Sequence, residues 1–254
     1  MPSEQQDISW VPAHVFGEER TSRWLVLCDH ATNLVPPWLP SSTLGLPQEE
    51  MERHIAFDIG VAGVAVRLAE HLNAPVVLSN FSRLVIDPNR GEDDPTLVRR
   101  LYDETIIPGN RHLTETEIET RMALCYRPYH TMVERMAARR SDTVILSIHT
   151  FTPQLKHKQV RPWHIGLLFA DDARLSLPLA DLLAEDADVV VGLNEPYSGY
   201  LDGDTIDRHA LRKGRQNTLI ELRNDLVSDE AGQRAWAEKL AGVLPQALVQ
   251  ADRP

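Results

Sequence analysis

Two apolar runs in this chain end in the same way. Trp24-Leu25-Val26-Leu27 leads into Cys28-Asp29-His30, and Thr143-Val144-Ile145-Leu146-Ser147-Ile148 leads into His149-Thr150-Phe151-Thr152-Pro153. Each run is short, aliphatic and followed by a proline-bearing loop, which is the pattern of a strand buried on both faces. Each also delivers a histidine to its C-terminal end, and in open α/β sheets ligands bind outside the carboxyl ends of the strands. A pair of imidazoles at that edge reads as half of a metal site. The alternative is that each histidine caps its strand and bonds a loop carbonyl. The pairing favours an enzyme over a binding module.

The rest of the chain alternates between strand and helix patterns. Residues 31–47 hold four prolines and one glycine and must be a loop. From Gln48 to Leu72, apolar residues at Ile55, Ile59, Ala62, Val66 and Ala69 predict one helix. Strands are expected over 24–29, 75–79, 143–149, 163–170, 189–191 and 218–222. Ser82 to Arg90 reads as strand then turn, and 91–112 as an irregular polar excursion. Thr114 with Glu117 forms a capping-box pattern that opens a long helix to about Arg140, and further helices are expected over 174–185 and 229–249. This alternation predicts an α/β fold with a mostly parallel central sheet and helices on both faces. Nothing in the composition divides the 254 residues, so a single domain, 1–254, is expected, with 1–22 a loosely held lead-in.

The formal net charge of −11 argues against binding nucleic acid or an acidic membrane surface through a general field. An anionic substrate remains open to a local arginine cluster. Cys28 and Cys125 both sit in apolar patterns and read as buried thiols, which fits a reducing cytoplasm. The stretch Pro2 to Asp7 has no basic or apolar region of the kind a secretion signal needs, and no apolar run reaches the ~18 residues of a membrane span. The oligomeric state is not legible.

A zinc site needs a third protein ligand and an open position. Asp58, an acid in the otherwise apolar stretch Ile55-Ala56-Phe57-Asp58-Ile59, is one candidate, because a carboxylate is rarely buried unless paired or metal-bound; a buried ion pair is the alternative. His54, at i−4 from Asp58 on the expected helix, is another, or simply a surface histidine. Asn33 stands three residues after His30, but a neutral amide is a poor zinc ligand. Glu221, between Ile220 and Leu222, is an acid inside a strand; beside a metal it would act as general base, and otherwise it would pair with Arg83 or Arg223. Arg83 and Arg90 flank Asp87 and could grip a substrate carboxylate through their planar forks, or form a structural network with it. Asn194 and Tyr197 follow a strand end and could line the cleft. Tyr129 and His130 read as helix packing, and His157 as a solvated loop.

These motifs, taken together, resemble the N-formylglutamate amidohydrolase family. The matching stretches are Cys28-Asp29-His30-Ala31 with Asn33 and Pro36, Phe57-Asp58-Ile59-Gly60, Ser82 to Asp87 with Asn89-Arg90, Arg127-Pro128-Tyr129-His130, Ser147 to Pro153, Asn194 to Gly199, and Ile220 to Asp225. They run in order over residues 24–226. The resemblance implies a phosphorylase/hydrolase-like fold similar to zinc carboxypeptidases. It also implies metal-dependent hydrolysis of a small-molecule N-acyl amino acid, typically N-formyl-L-glutamate to formate and L-glutamate, with Zn2+ or another divalent ion as cofactor. On this reading His30, His149 and Asp58 hold the metal, Glu221 moves the proton, and Arg83, Arg90, Asn194 and Tyr197 bind substrate. Two other functions fit the same residues: a metal amidase or peptidase acting on a different N-acyl group, and a non-catalytic amino-acid-binding protein.

Overall fold

A computed structural model describes residues 10–253. Pro2 to Asp7, and with it the signal-peptide expectation, lies outside the described residues. The core is a seven-stranded sheet of β1 (Ala13–Phe16), β2 (Trp24–Cys28), β3 (Val76–Ser79), β6 (Val144–Phe151), β7 (Ile165–Leu168), β8 (Val191–Leu193) and β9 (Asn217–Arg223), in the order β1-β3-β2-β6-β9-β7-β8. A separate two-stranded hairpin joins β4 (Leu101–Tyr102) to β5 (Thr105–Ile106). Strands β3, β2, β6 and β9 run parallel, and β7 pairs with β8 in parallel. Antiparallel pairings occur where β1 meets β3 and where β7 meets β9. The fold is therefore α/β with a mostly parallel central sheet.

Strand side chains alternate between the two faces, and the sequence supplies apolar groups for both. Trp24, Val26 and Cys28 of β2 and Leu146 and Ile148 of β6 point into one core, which is closed by α2 (Val61–His71), α5 (Ser176–Leu183) and α7 (Glu230–Ala251). Leu25, Leu27 and Ile145 point into the other, covered by Tyr129, Val133 and Met136 of α4 (Arg127–Ala137). Helices thus cover both faces, as strands without a polar side require. No helix among the described residues is long and apolar enough to cross a membrane.

Several elements differ from the sequence reading. Part of the expected lead-in is the edge strand β1, whose short length and mixed burial give it little signal. The helix expected over 48–72 is broken in two: α1 is only Gln48–Met51, and α2 begins at Val61 after Gly60, which has φ 79°. A β-carbon at Gly60 would lie 2.0 Å from the Val227 carbonyl oxygen, so only glycine lets the chain turn there. Ile55 is fully buried by tertiary packing outside any helix, and α2 buries Val61, Val64, Ala65, Leu68 and Ala69, so of the positions that suggested one continuous helix face only Ala69 lies on the buried face of α2. The segment Ser82 to Arg90 is a series of turns, not a strand. The capping box is present, with the Thr114 hydroxyl accepting from the Glu117 N–H and the Glu117 carboxylate accepting from the Thr114 N–H. The helix it opens runs through α3 (Glu115–Arg121) and a π-helical turn at Met122–Tyr126 into α4. A short helix not read from the sequence, α6 (Thr205–His209), is N-capped by Asp204 and packs under the end of β6.

Candidate metal centre

Strands β2, β6 and β9 are neighbours, so their carboxyl ends bring His30, His149 and Glu221 to one edge of the sheet. His149 and Glu221 are register partners on β6 and β9. Asp58 joins them from the turn before Gly60, where its backbone N–H donates to the His30 carbonyl (3.0 Å) and its Oδ2 accepts from the Thr150 N–H (3.1 Å). Asp58 Oδ2 lies 3.3 Å from His30 Nδ1 and 3.0 Å from His149 Nδ1. All three residues are at most 3% exposed. One ligand atom from each lies within 4.8 Å of the others.

The remaining nitrogen of each imidazole faces a second buried carboxylate. His30 Nε2 is 2.7 Å from Asp87 Oδ1, and His149 Nε2 is 3.2 Å from Asp29 Oδ2. Asp29 is gripped further by the hydroxyls of Tyr129 (2.6 Å), Thr205 (2.9 Å) and Ser147 (3.2 Å), and Asp87 by the guanidinium of Arg83 (2.8 Å) and the Asn89 N–H (3.0 Å). A carboxylate behind each ligating imidazole, fixing its tautomer, is the usual outer arrangement of a metal site. Neighbouring ligands on a tetrahedral zinc, at bonds of 2.0–2.1 Å, stand about 3.3 Å apart, close to the separations from Asp58 Oδ2. The donor set therefore fits a divalent ion of the zinc type.

Electrostatics point the same way. Burial works against the His149 cation, but hydrogen bonds and charge from Asp29 and Asp58 push its pKa up to about 10. Burial likewise opposes ionised Asp29, yet His149, His30 and Tyr129 hold it down at about 2. Asp58 lies far below the usual carboxylate range, because both histidines outweigh its desolvation. Glu221 differs. Burial and the Asp58 charge raise it to about 7 against the pull of His149, His30 and Arg83, and its Oε2 is a buried oxygen with no hydrogen-bond partner among the described residues.

These groups open onto a cavity of about 400 Å3 lined by His30, Asp58, His149, Glu221, Arg83, Arg90, Tyr197 and others. Arg83 does not stand free in it. Its terminal nitrogens donate to Asp58 Oδ1 (3.3 Å) and Asp87 Oδ2 (2.8 Å), so it joins the two acids that hold His30. Arg90 binds Thr96 Oγ1 (3.1 Å) and the Asn89 carbonyl (2.6 Å) with two of its three nitrogens. Tyr197 is on the wall, with its hydroxyl accepting from Arg161 (3.2 Å). Asn194 is not on it: its Oδ1 accepts from the N–H groups of Phe169 and Gly199 and so ties its own loop together. His54 lies at the cavity but 3.6 Å from Asp103 rather than in the ligand cluster, since no helix joins it to Asp58. Asn33 anchors its loop to the Met51 carbonyl.

Sequence reasoning missed the supporting acids and hydroxyls. Asp29 sits inside a motif that drew attention only for its histidine. Tyr129 was read as packing; it is fully buried as a packing residue should be, but it also donates to an acid 100 positions away. Thr205 lies on a helix with no strong periodic signal. Nothing in linear spacing connects these positions.

The family model for N-formylglutamate amidohydrolase matches residues 22–228. Among solved structures, a gene product of Agrobacterium tumefaciens is 34% identical, covering 95% of this chain and 96% of its own, with a TM-score of 0.89. An N-formylglutamate amidohydrolase from Ralstonia eutropha is 20% identical, covering 94% and 98%, with a TM-score of 0.74, a likeness of fold. A search of curated proteins found no match to this chain.

Proposed function

Since the chain belongs to the N-formylglutamate amidohydrolase family, we propose that it is a metal-dependent hydrolase of N-acyl amino acids, with N-formyl-L-glutamate as substrate and formate and L-glutamate as products. One observation carries the reading: three ligand atoms from His30, Asp58 and His149 converge, with an unpartnered buried carboxyl oxygen of Glu221 beside them in the same cavity. His30, Asp58 and His149 would hold zinc or another divalent ion. When bound, the ion supplies Lewis acidity that polarises the acyl carbonyl and makes water a stronger acid.

The chain's own groups supply the rest. In the metal-free protein burial raises Glu221 to about 7, well above an ordinary carboxylate and toward the range of a group that must first take a proton and then return it. Its Oε2 accepts the proton of the attacking water and then delivers it to the amide nitrogen as the C–N bond breaks. Asp29 and Asp87 keep the imidazole Nδ1 atoms facing inward. Arg83 positions Asp58 and Asp87, while Arg90 and Tyr197 face the substrate. The buried thiols Cys28 and Cys125 are free, which suits a cytoplasmic enzyme.

The test is a panel of formyl, acetyl and longer N-acyl amino acids, assayed with metal-loaded and chelated protein and with His149→Ala. Turnover of the formyl compound that is lost on chelation and in His149→Ala supports the proposal. Preference for a longer acyl group would keep the chemistry and change the substrate. Binding of glutamate without turnover by metal-loaded protein would make the chain a binding protein.

A further inference from the structure

The polar excursion between Gly91 and His112 builds one wall of the cavity and brings to it an arginine that the sequence reading did not single out. Arg99 lines the cavity together with Arg83, Arg90 and Tyr102. Its neighbours hold its backbone in place: the Arg99 carbonyl accepts from Asn110 Nδ2 (2.7 Å), the Arg100 carbonyl from the Ile107 N–H (2.9 Å), and the Leu97 carbonyl from the Asp87 N–H (2.8 Å). Asn110 is fully buried and also binds the Leu84 carbonyl, so the segment is fastened to the second core. The side chain lies over the Tyr102 ring, with Cζ 4.5 Å from the centroid. Tyr102 belongs to the β4–β5 hairpin, and the neighbouring Asp103 binds Arg53 (2.7 Å) and accepts from the Lys156 N–H (3.1 Å).

Three guanidinium groups face this cavity, and they are not equivalent. Arg83 is engaged by two carboxylates and Arg90 by two neutral oxygens. Arg99 donates no hydrogen bond among the described residues. Its closest acid among the described residues is Asp87, 3.9 Å from Nε, and that Oδ2 already accepts from Arg83. Its Nε is a buried atom without a partner. Burial, with repulsion from Arg83 and Arg90, lowers its pKa against the weaker pull of Asp87, and a guanidinium still stays charged at neutral pH. A part-buried cation with an unengaged fork needs an anion to face it. Among the described residues, none of the acids that line the cavity, Asp58, Asp204 and Glu221, lies within ion-pair distance of Arg99, which leaves its face toward the cavity for an anion of the ligand.

We propose that Arg99, aligned by Tyr102, is the residue that reads the side-chain carboxylate of the substrate and selects the acid over its amide, with Arg83 acting only on Asp58 and Asp87. The inference rests on the hydrolase reading and adds the residue that sets specificity. A planar fork takes two carboxylate oxygens at once, whereas a carboxamide offers one oxygen and turns an N–H toward the cation.

The experiment compares Arg99→Gln and Arg99→Lys with wild type, measuring kcat/KM for an N-acyl glutamate and the corresponding N-acyl glutamine, with metal content determined on each protein. Loss of a charge-assisted pair predicts a roughly 10–100-fold fall for the glutamate compound in Arg99→Gln. The fall should exceed that for the glutamine compound at least tenfold and appear mainly in KM, with metal content unchanged. Arg99→Lys should recover only part, since an ammonium lacks the fork. Equal losses on both substrates, or none, would overturn the role of Arg99. If wild type turns over neither compound, the hydrolase reading fails, and titration of glutarate into metal-loaded wild type and Arg99→Gln judges Arg99 separately: weaker binding in the variant upholds it, and equal or absent binding rejects it.

Discussion

Replacing Asp29 by Asn tests whether the acids behind the imidazoles hold the ligands in place. Asp29 is fully buried and accepts from Tyr129, Thr205 and Ser147, and it faces His149 Nε2 at 3.2 Å. An amide of the same shape keeps one acceptor oxygen but turns an N–H2 toward donors and removes the charge that sets the His149 tautomer. Loss of such a partner lowers metal affinity about 10–100-fold, equivalent to roughly 1.4–2.8 kcal/mol. Zinc affinity would be measured by competition with a chromophoric chelator at neutral pH, with circular dichroism to confirm folding. Tyr129→Phe is the control: it removes the shortest of the four contacts but leaves the carboxylate, so it should cost about 1 kcal/mol of stability and much less metal affinity. A folded Asp29→Asn protein that binds zinc as wild type does would show that Asp29 does not hold His149 for the metal.

Zinc binding near pH 8 should release at least one proton per ion, because the metal must displace a proton from His149, whose metal-free pKa is about 10; calorimetry in buffers of different ionisation enthalpy reads this directly. The same raised pKa stabilises the metal-free fold fully below about pH 6.5, and denaturant titrations should show that stabilisation being lost as pH rises through about 10. The kcat/KM profile should rise with pH as Glu221 loses its proton, with an apparent pKa below the metal-free value of about 7 because the bound cation favours the carboxylate. Gly60→Ala should cost about 3 kcal/mol in thermal or chemical unfolding, because its φ is 79° and the added carbon meets the Val227 carbonyl; the accompanying shift of Asp58 should weaken metal binding. Arg83→Lys should lower metal affinity as well as turnover, since it frees one of two buried acids, whereas a change confined to turnover would return Arg83 to substrate binding.

The strand ends that carry His30, His149 and Glu221 were legible because a polar residue closing an apolar run stands out in any chain. Asp58 was legible as a buried acid in an apolar stretch, but its placement was not: no helix runs through it, and its position depends on the Gly60 turn and the Thr150 N–H. The reversed direction of β7 against β9 was not legible, since alternation of strand and helix says nothing about which neighbour a strand chooses. Nor was the engagement of Arg83, because a guanidinium beside an acid in sequence looks the same whether it faces a ligand or the protein. Arg99 was hidden in a stretch whose regular elements, a hairpin of two-residue strands and a single 3-10 turn at Pro108–Asn110, are too short for any periodic pattern.

In the proposed reaction Glu221 moves the proton beside a metal held by His30, Asp58 and His149. Glu221→Gln keeps the shape and all three ligands, so the most direct measurement is metal content together with formate release from N-formyl-L-glutamate in that variant. The expected result is wild-type zinc stoichiometry with kcat reduced roughly 10²–10⁴-fold. A zinc-loaded Glu221→Gln protein that turns the substrate over at the wild-type rate would contradict it.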